Sequence, residues 1–200
     1  LEMVRREDFW VGVNTLTPNR LLRKAWENGL LPETAGYTSL KSEATVGSSR
    51  LDGCFEGPSG RLWVEAKNVT LVEEDVAYFP DAVTERGQQH LRELMALKDG
   101  GDRVACFYVI QRPDAHCFGP ADFIDPEFSR LFQAALEKGV EVWPYHATVT
   151  AEGARSATRR PTPSISGCAS RWRKRKRRRR RCAPSSALSK PGSTRCGPRR

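Results

Sequence analysis

The sequence predicts an α/β protein in which a mixed central sheet is flanked by helices. Helical and extended patterns follow one another in the order α-β-β-β-α-β-α-β along residues 10–149. This order is typical of a sheet with helices packed on its faces. The run RVACFYVI at 103–110 is almost continuously apolar and rich in β-formers, as expected of a strand buried on both sides. About 150 residues are the usual size of one domain with one core.

The first helix is expected to begin at Thr17-Pro18, because threonine caps helices and proline suits the first helical position. Apolar residues then recur at helical spacing until Gly29, which ends the helix. An extended stretch at 37–46 follows. Two strand-like runs, 50–56 and 61–70, flank a Gly-Pro-Ser-Gly turn, and this pattern indicates a β-hairpin.

The second half of the body adds two helices and a last strand. The second helix is predicted over residues 82–98, with Asp81 as its cap and Val83 in its inner apolar stripe. A third helix is expected to begin at Asp125-Pro126. The last strand is predicted at 139–149, before the composition changes.

The charge divides the chain into an acidic body and a basic tail. The sequence has 33 Lys and Arg against 24 Asp and Glu, a formal charge of +9, but residues 151–200 hold 17 of the basic residues and one acid. Nine consecutive basic residues run from Arg173 to Arg181. Such a run is typical of polyphosphate binding or of a nuclear-import signal. A shifted reading frame or a misassigned exon is the other interpretation, because a few residue types dominate the segment.

Several classes of protein are excluded by composition. No apolar run approaches the roughly 20 residues that a membrane-spanning helix needs. The start, LEMVRREDFW, lacks the apolar centre of a secretory signal. The cysteines include no C-x-x-C pair and no histidine at zinc-finger spacing, which argues against a closed zinc site. We therefore expect an intracellular protein that does not associate with membranes.

The predicted hairpin brings charged residues of two strands together. If its turn is centred on Pro58-Ser59, Asp52 lies directly opposite Glu65, and Lys67 points to the same side as Glu65. Opposed side chains have Cβ atoms roughly 4.5–5.5 Å apart, so two carboxylates there repel each other. A divalent cation relieves the repulsion, since Mg²⁺ often binds one or two carboxylates together with substrate phosphate. Two acids and a lysine are what metal-assisted phosphodiester hydrolysis requires.

Two alternatives stand beside this interpretation. A three-residue turn with Gly60 in the left-handed conformation shifts the register by one residue, so that Asp52 faces Ala66 on the other side of the sheet. In addition, Glu65 and Lys67 are consistent with a solvated sheet face, because an E-x-K triplet occurs in many proteins. The turn residues alone do not decide between these arrangements.

A set of sequence runs, collinear over about residues 10–148, resembles a known family. The runs are WVGVNTLTPNRL (10–21), LPETAGY (31–37), SRLDG (49–53), VEAKNVTL (64–71), FPDAVTERGQQHL (79–91), QRPD (111–114) and IDPEF (124–128). They are similar to the sugar fermentation stimulation protein A family, which looks like a member of the PD-(D/E)XK nuclease superfamily. The resemblance implies a restriction-endonuclease-like core of the order α-β-β-β-α-β. It also implies that Asp52 and Glu65 bind Mg²⁺ or Mn²⁺, that Lys67 is the third catalytic residue, and that DNA is the partner.

The chain departs from the family pattern in several places. Gly53 stands where the family usually has an aromatic residue, and Ala66 where valine is usual. The family normally begins with an OB-like barrel, of which we expect residues 1–9 to be a remnant. Since the resemblance ends near residue 149, we expect a nuclease-like domain at 10–149 and a disordered basic tail at 150–200.

Three further residues are candidates for contacts with the substrate. Arg50 lies opposite Lys67 in the first register, an unfavourable pair unless an anion lies between them. Arg86 and His90 are one helical turn apart and are expected to point away from the apolar stripe. There they either contact phosphate or form an ordinary solvated helix face.

Together these features predict a DNA-binding protein with a metal-dependent phosphodiesterase site. One alternative is a non-catalytic DNA-binding regulator of sugar (maltose) metabolism on the same fold, since a fold does not guarantee an activity. Another is a protein that binds nucleic acid only through its basic tail.

Overall fold

A computed structural model of the protein describes residues 2–6, 8–47 and 49–158. The helices are α1 (Thr17–Glu27), α2 (Glu85–Asp99) and α3 (Pro126–Glu137), with a short 3-10 helix at Pro32–Thr34. The strands are β1 (Met3–Arg6), β2 (Phe9–Gly12), β3 (Ser39–Val46), β4 (Ser49–Gly57), β5 (Gly60–Val69), β6 (Leu71–Glu73), β7 (Val76–Phe79), β8 (Arg103–Ile110), β9 (Cys117–Pro120), β10 (Glu141–Thr150) and β11 (Gly153–Thr158).

A six-stranded mixed sheet lies at the centre, in the order β11-β10-β8-β5-β4-β3. The pairs β3–β4, β4–β5 and β10–β11 are antiparallel, whereas β5–β8 and β8–β10 are parallel. Parallel neighbours need a crossover connection, and α2 and α3 lie in the two crossovers. The predicted α/β fold with a mixed central sheet flanked by helices is therefore confirmed, as is the order of its main elements.

Alternation along β8 divides the core between the two faces of the sheet. Even-numbered residues from 104 to 110 pack with side chains of α2 and α3, and odd-numbered residues from 105 to 109 pack with side chains of α1. Seven of the eight residues of β8 are buried. A strand covered by helices on both sides has no polar face, which explains the continuous apolar run in the sequence.

Two helices begin where the sequence predicts. α3 follows Asp125, whose side chain accepts a hydrogen bond from the backbone N–H of Phe128 at 2.8 Å. α1 begins at Thr17, but the prediction that Thr17 caps it is wrong. The side chain of Asn14 instead accepts a hydrogen bond from the backbone N–H of Leu16, just before the helix, at 2.8 Å.

The start of α2 differs from the prediction. The helix begins at Glu85, and Thr84 rather than Asp81 caps it by accepting a hydrogen bond from the backbone N–H of Gly87 at 3.0 Å. Val83 therefore precedes the helix instead of lying in its inner stripe, and it is 68% exposed. The positions after Glu85 keep the predicted orientation, with Gly87, Leu91 and Leu94 buried.

Several short strands add to the predicted order. β1 and β2 form a hairpin that crosses the expected domain boundary between residues 9 and 10. β6, β7 and β9 form a separate three-stranded sheet. β11 lies inside the range assigned to the tail, where it pairs with β10. Strands of three to six residues are too short for their period to be read from sequence.

The basic run at 173–181 lies outside the described residues, so disorder of the tail stays a prediction for residues 159–200. Within the described ranges, none of the helices is both long enough and apolar enough to span a bilayer.

Candidate functional site

The β4–β5 hairpin has the register that places Asp52 opposite Glu65. A two-residue turn at Pro58–Ser59 joins the strands, and their backbone pairs run from Gly57–Gly60 to Gly53–Val64. The next opposed residues along this ladder are the two acids. The other register considered for the turn, with Asp52 opposite Ala66, is not adopted.

The two strands separate at the step where the acids lie. The backbone N–H of Ala66 donates to Oδ2 of Asp52 at 2.8 Å. The carboxylate thus accepts a hydrogen bond of the kind that a backbone carbonyl accepts elsewhere in a ladder. The side chain of Asn19, on α1, donates to Oδ1 of Asp52 at 2.7 Å. Both oxygens of Asp52 are therefore held by neighbouring elements.

Glu65 lies on the face of β5 that packs against α2 and is only 3% exposed. Nζ of Lys67, two residues along the strand, donates to Oε1 of Glu65 at 2.5 Å. Nδ1 of His90, on α2, contacts the same oxygen. Oε2 of Glu65 is buried and has no hydrogen-bond partner among the described residues. Because buried carboxylate oxygens are normally hydrogen-bonded, Oε2 is the atom of this cluster that remains open to a further ligand.

The pKa values of the two acids shift in opposite directions. Burial raises the pKa of Asp52 and the negative charge of Glu65 raises it further, against the hydrogen bonds from Ala66 and Asn19. Burial also acts to raise the pKa of Glu65, but the hydrogen bond from His90 and the positive charge of Lys67 outweigh it, so this pKa lies below its ordinary value of 4.5. The charge of Glu65 is therefore compensated, whereas that of Asp52 is not.

A cleft of about 630 Å³ holds every predicted site residue except His90. The charged residues that line it are Glu43, Arg50, Asp52, Glu65, Lys67, Asp81 and Arg86. Four of these are acids and three are bases, so the cleft has no excess of positive charge with which to attract a polyanion. A bound divalent cation would reverse this balance.

The two candidate arginines lie at the cleft, but Arg50 does not oppose Lys67. The ladder between β4 and β5 ends before these residues, because the carboxylate of Asp52 takes the hydrogen bond from β5. Arg50 instead forms an exposed ion pair with Glu43 of β3 at 3.5 Å. Arg86 is exposed in the first turn of α2. The prediction of a cross-strand pair of like charges is wrong, while phosphate contact by either arginine stays a prediction.

His90 is buried, not part of a solvated helix face. Only 5% of the residue is exposed, and it does not line the cleft. Its Nδ1 contacts Glu65 and lies 3.2 Å from Nζ of Lys67. On α2, His90 lies one helical turn after Gly87 and next to Leu91, both of which are buried. A direct contact between His90 and substrate does not fit this position.

Two asparagines that the sequence did not indicate as site residues line the cleft. Asn19 positions Asp52, as described above, and Asn68 follows Lys67 on β5. Oδ1 of Asn68 accepts a hydrogen bond from the buried side chain of Gln111 at 2.6 Å, which leaves its amide nitrogen for other contacts. Single asparagines in a helix or a strand form no recognisable pattern. The burial of His90 could have been predicted from the sequence, because His90 is three residues after Gly87, which belongs to the inner apolar stripe.

The site fits a divalent cation that is bound by only two protein side chains. Within the ranges that the structure describes, no group of three His, Cys, Asp or Glu side chains is arranged to hold a metal ion. Asp52 and Glu65 both line the cleft, and Oε2 of Glu65 has no hydrogen-bond partner in the part of the chain that the structure describes. Mg²⁺ is commonly bound by one or two carboxylates and keeps water or phosphate oxygens as its other ligands. The donor set matches that chemistry rather than a closed protein cage.

A family model and two curated relatives indicate the family of this chain. Residues 16–153 match the family model described as "Sugar fermentation stimulation protein RE domain". The sugar fermentation stimulation protein homolog of Syntrophobacter fumaroxidans is 61% identical over 153 residues, which cover 76% of this chain and 59% of that protein. The homolog of Maridesulfovibrio salexigens is 57% identical over 156 residues, which cover 76% of this chain and 65% of that protein. The chain thus spans less than two thirds of the length of these two relatives.

A solved structure has the same fold. The structure of Pyrococcus furiosus SfsA in complex with Ca²⁺ aligns with a TM-score of 0.73 at 31% identity, over 79% of this chain and 70% of that chain. The family match covers most of the described domain, and the relatives named above exceed half identity over it. The chain therefore belongs to the sugar fermentation stimulation protein family.

Proposed function

We propose that this protein binds DNA and hydrolyses phosphodiester bonds with Mg²⁺ or Mn²⁺. The observation that carries the proposal is that Asp52 and Glu65, from adjacent strands, line one cleft together with Lys67. Oε2 of Glu65 is buried there without a hydrogen-bond partner among the described residues. Asp52 and Glu65 would hold the ion. The complex of the Pyrococcus furiosus relative with Ca²⁺ supports a divalent ion on this fold.

The chemistry assigned to Lys67 follows from its position. A bound divalent ion would supply Lewis-acid stabilisation of charge on the phosphate and a more acidic water. In hydrolysis a water oxygen attacks phosphorus while the P–O bond to the leaving sugar oxygen breaks, and negative charge grows on the phosphate oxygens. Nζ of Lys67 is held 2.5 Å from Glu65, and an N–H that does not face Glu65 can donate to that water or to a phosphate oxygen.

Substrate binding is assigned to Arg50 and Arg86. Both line the cleft, and the ion pair of Arg50 with Glu43 leaves 62% of each side chain exposed. Exposed ion pairs contribute little free energy, so Arg50 can exchange Glu43 for a phosphate at small cost. Since acids outnumber bases in the cleft, we expect DNA to bind there much more tightly with Ca²⁺ than with a chelator.

The test is nucleic-acid cleavage by the full-length protein. Labelled single- and double-stranded DNA and RNA would be incubated with Mg²⁺, with Mn²⁺ or with EDTA. We expect cleavage of DNA only with metal, and a rate reduced by about 10²–10³-fold in Glu65→Gln and in Lys67→Ala, as for removal of a group that stabilises transition-state charge.

Matched controls come from the neighbouring strands of the same sheet. Glu56, exposed on β4, and Lys41, exposed on β3, lie outside the cleft, so Glu56→Gln and Lys41→Ala should cleave as the wild type does. DNA binding without cleavage under every metal condition would support a non-catalytic regulator instead. Binding that is unaffected by metal and by the cleft substitutions, and that falls steeply with salt, would assign nucleic-acid binding to the basic tail.

A further inference from the structure

We propose that His90 is a positioning residue that fixes the carboxylate of Glu65 so that Oε2 is the oxygen presented to the metal. The proposal rests on the metal site proposed above and specifies how the protein orients one of its two ligands. It replaces the expectation that His90 contacts the substrate, because His90 is 5% exposed and does not line the cleft.

The groups around the imidazole determine which ring nitrogen carries the proton. Nδ1 contacts Oε1 of Glu65, which as a carboxylate oxygen only accepts hydrogen bonds. Nε2 faces the guanidinium Nε–H of Arg86 at 3.5 Å, and this group only donates. The neutral ring that satisfies both neighbours has its proton on Nδ1 and its lone pair on Nε2. The ammonium of Lys67, 3.2 Å from Nδ1, is then a close neighbour and not a donor to the ring.

The helix that carries His90 is held in place from its other side. Asp125, the cap of α3, accepts a hydrogen bond from the backbone N–H of Thr84 at 3.0 Å and from the side chain of Gln88 at 3.1 Å. These bonds fix the first turn of α2, one turn before His90. The imidazole therefore has little freedom to move away from Glu65, which is itself only 3% exposed.

The consequence is an asymmetric carboxylate. Oε1 of Glu65 receives both Lys67 and His90, and Oε2 receives no hydrogen bond from the described residues. Without the N–H of His90, rotation of the carboxylate would be restrained by Lys67 alone, and either oxygen could pair with the ammonium. Removing a group that orients a metal ligand typically costs 10–100-fold in metal affinity, and we expect a loss of that size here.

The test is calorimetric titration of the full-length protein with Ca²⁺, for the wild type and for three variants of His90. His90→Leu removes the donor at similar volume, and its Ca²⁺ affinity should fall about 10–100-fold. His90→Asn places an amide N–H near the position of Nδ1 and should restore most of the affinity. His90→Gln places its amide near the position of Nε2 and should restore less. DNA affinity at saturating Ca²⁺ should be the same in all four proteins.

The possible outcomes separate this proposal from the proposed function. If the wild type does not bind Ca²⁺, the metal site itself is wrong and the role of His90 is wrong with it. If the wild type binds Ca²⁺ and His90→Leu binds it equally well, only the role of His90 is overturned. If thermal melting shows that His90→Leu is unfolded, the asparagine and glutamine variants decide, and equal affinities for them overturn the proposal. Loss of DNA affinity at saturating Ca²⁺, with unchanged Ca²⁺ affinity, would assign His90 to the substrate instead.

Discussion

Replacing Asp52 by asparagine is expected to stabilise the metal-free protein and to abolish metal binding. The pKa of Asp52 is raised by burial and then by the negative charge of Glu65. A carboxyl whose pKa is higher in the folded state favours folding most when it is protonated, and this contribution is lost as the pH rises through the folded-state pKa. Above its folded-state pKa the ionised Asp52 therefore opposes folding, and asparagine removes that penalty.

The size of the effect is bounded by the repulsion between residues that are paired in a ladder. Such residues lie about 5 Å apart, where two unit charges repel by about 3 kcal/mol at an effective dielectric constant of about 20. The strands have separated at Asp52, so its carboxylate and that of Glu65 repel by less than this. Lys67 and His90 already compensate part of the charge of Glu65. We therefore expect a gain of about 1 kcal/mol in the free energy of unfolding. Asparagine retains an oxygen for the N–H of Ala66, and the amide of Asn19 can rotate to accept from the new N–H₂.

Glu65→Gln should have the opposite effect on the metal-free protein. It leaves Lys67 and His90 without the carboxylate that both contact, which we expect to cost about 1–3 kcal/mol. Urea unfolding of both variants and of the wild type, in EDTA and in Ca²⁺, measures these differences. The wild type should gain about 2.7 kcal/mol when Ca²⁺ is at about 100 times its Kd, and neither variant should gain. Destabilisation by Asp52→Asn of more than about 1 kcal/mol in EDTA, or retention of its gain in Ca²⁺, would refute the electrostatic argument.

Three further predictions concern the surroundings of the site. Asp125→Ala removes the cap of α3 and the hydrogen-bond acceptor at the start of α2. Urea unfolding should show that the free energy of unfolding falls by about 2–4 kcal/mol. An equal fall in Asp125→Asn would contradict this reasoning. Arg86→Ala should weaken DNA binding and lower the slope of log affinity against log salt by about 1, whereas Arg92→Ala, on the same helix outside the cleft, should change neither. Because the pKa of Glu65 is lowered in the folded state, the stability that its pairing contributes should be complete above about pH 4.5. This stability should be lost as the pH falls through the folded-state pKa. Measurements of the unfolding free energy against pH in EDTA should show the loss in the wild type but not in Glu65→Gln.

The register of the β4–β5 hairpin shows what the sequence can and cannot decide. The Gly-Pro-Ser-Gly turn permits two registers. In the observed register Phe55 pairs with Leu62, and both belong to the core on the α1 side of the sheet. A shift by one residue would oppose Phe55 to Trp63, which packs on the other side. The apolar faces of the two strands, rather than the turn, therefore fix the arrangement of the acids.

Other features of the site depend on contacts that no local pattern encodes. The separation of β4 from β5 requires the hydrogen bond from Ala66 to the side chain of Asp52, and this is why the expected pairing of Arg50 with Lys67 fails. The burial of His90, by contrast, is encoded locally, because His90 lies one helical turn after Gly87 and one before Leu94 on the inner stripe of α2. The long buried strand β8 and the Asp-Pro start of α3 needed no such information, and both were predicted.

The two-residue turn at Pro58–Ser59 lies at the end of the hairpin that is remote from the acids. Gly57, at the near side of the turn, is five residues after Asp52, a distance of about 17 Å along a strand. Because the apolar faces of β4 and β5 fix their pairing, we expect a residue inserted or deleted in the turn to change the loop while Asp52 stays opposite Glu65. An exposed loop at that distance can therefore vary in both chemistry and length without disturbing the two carboxylates.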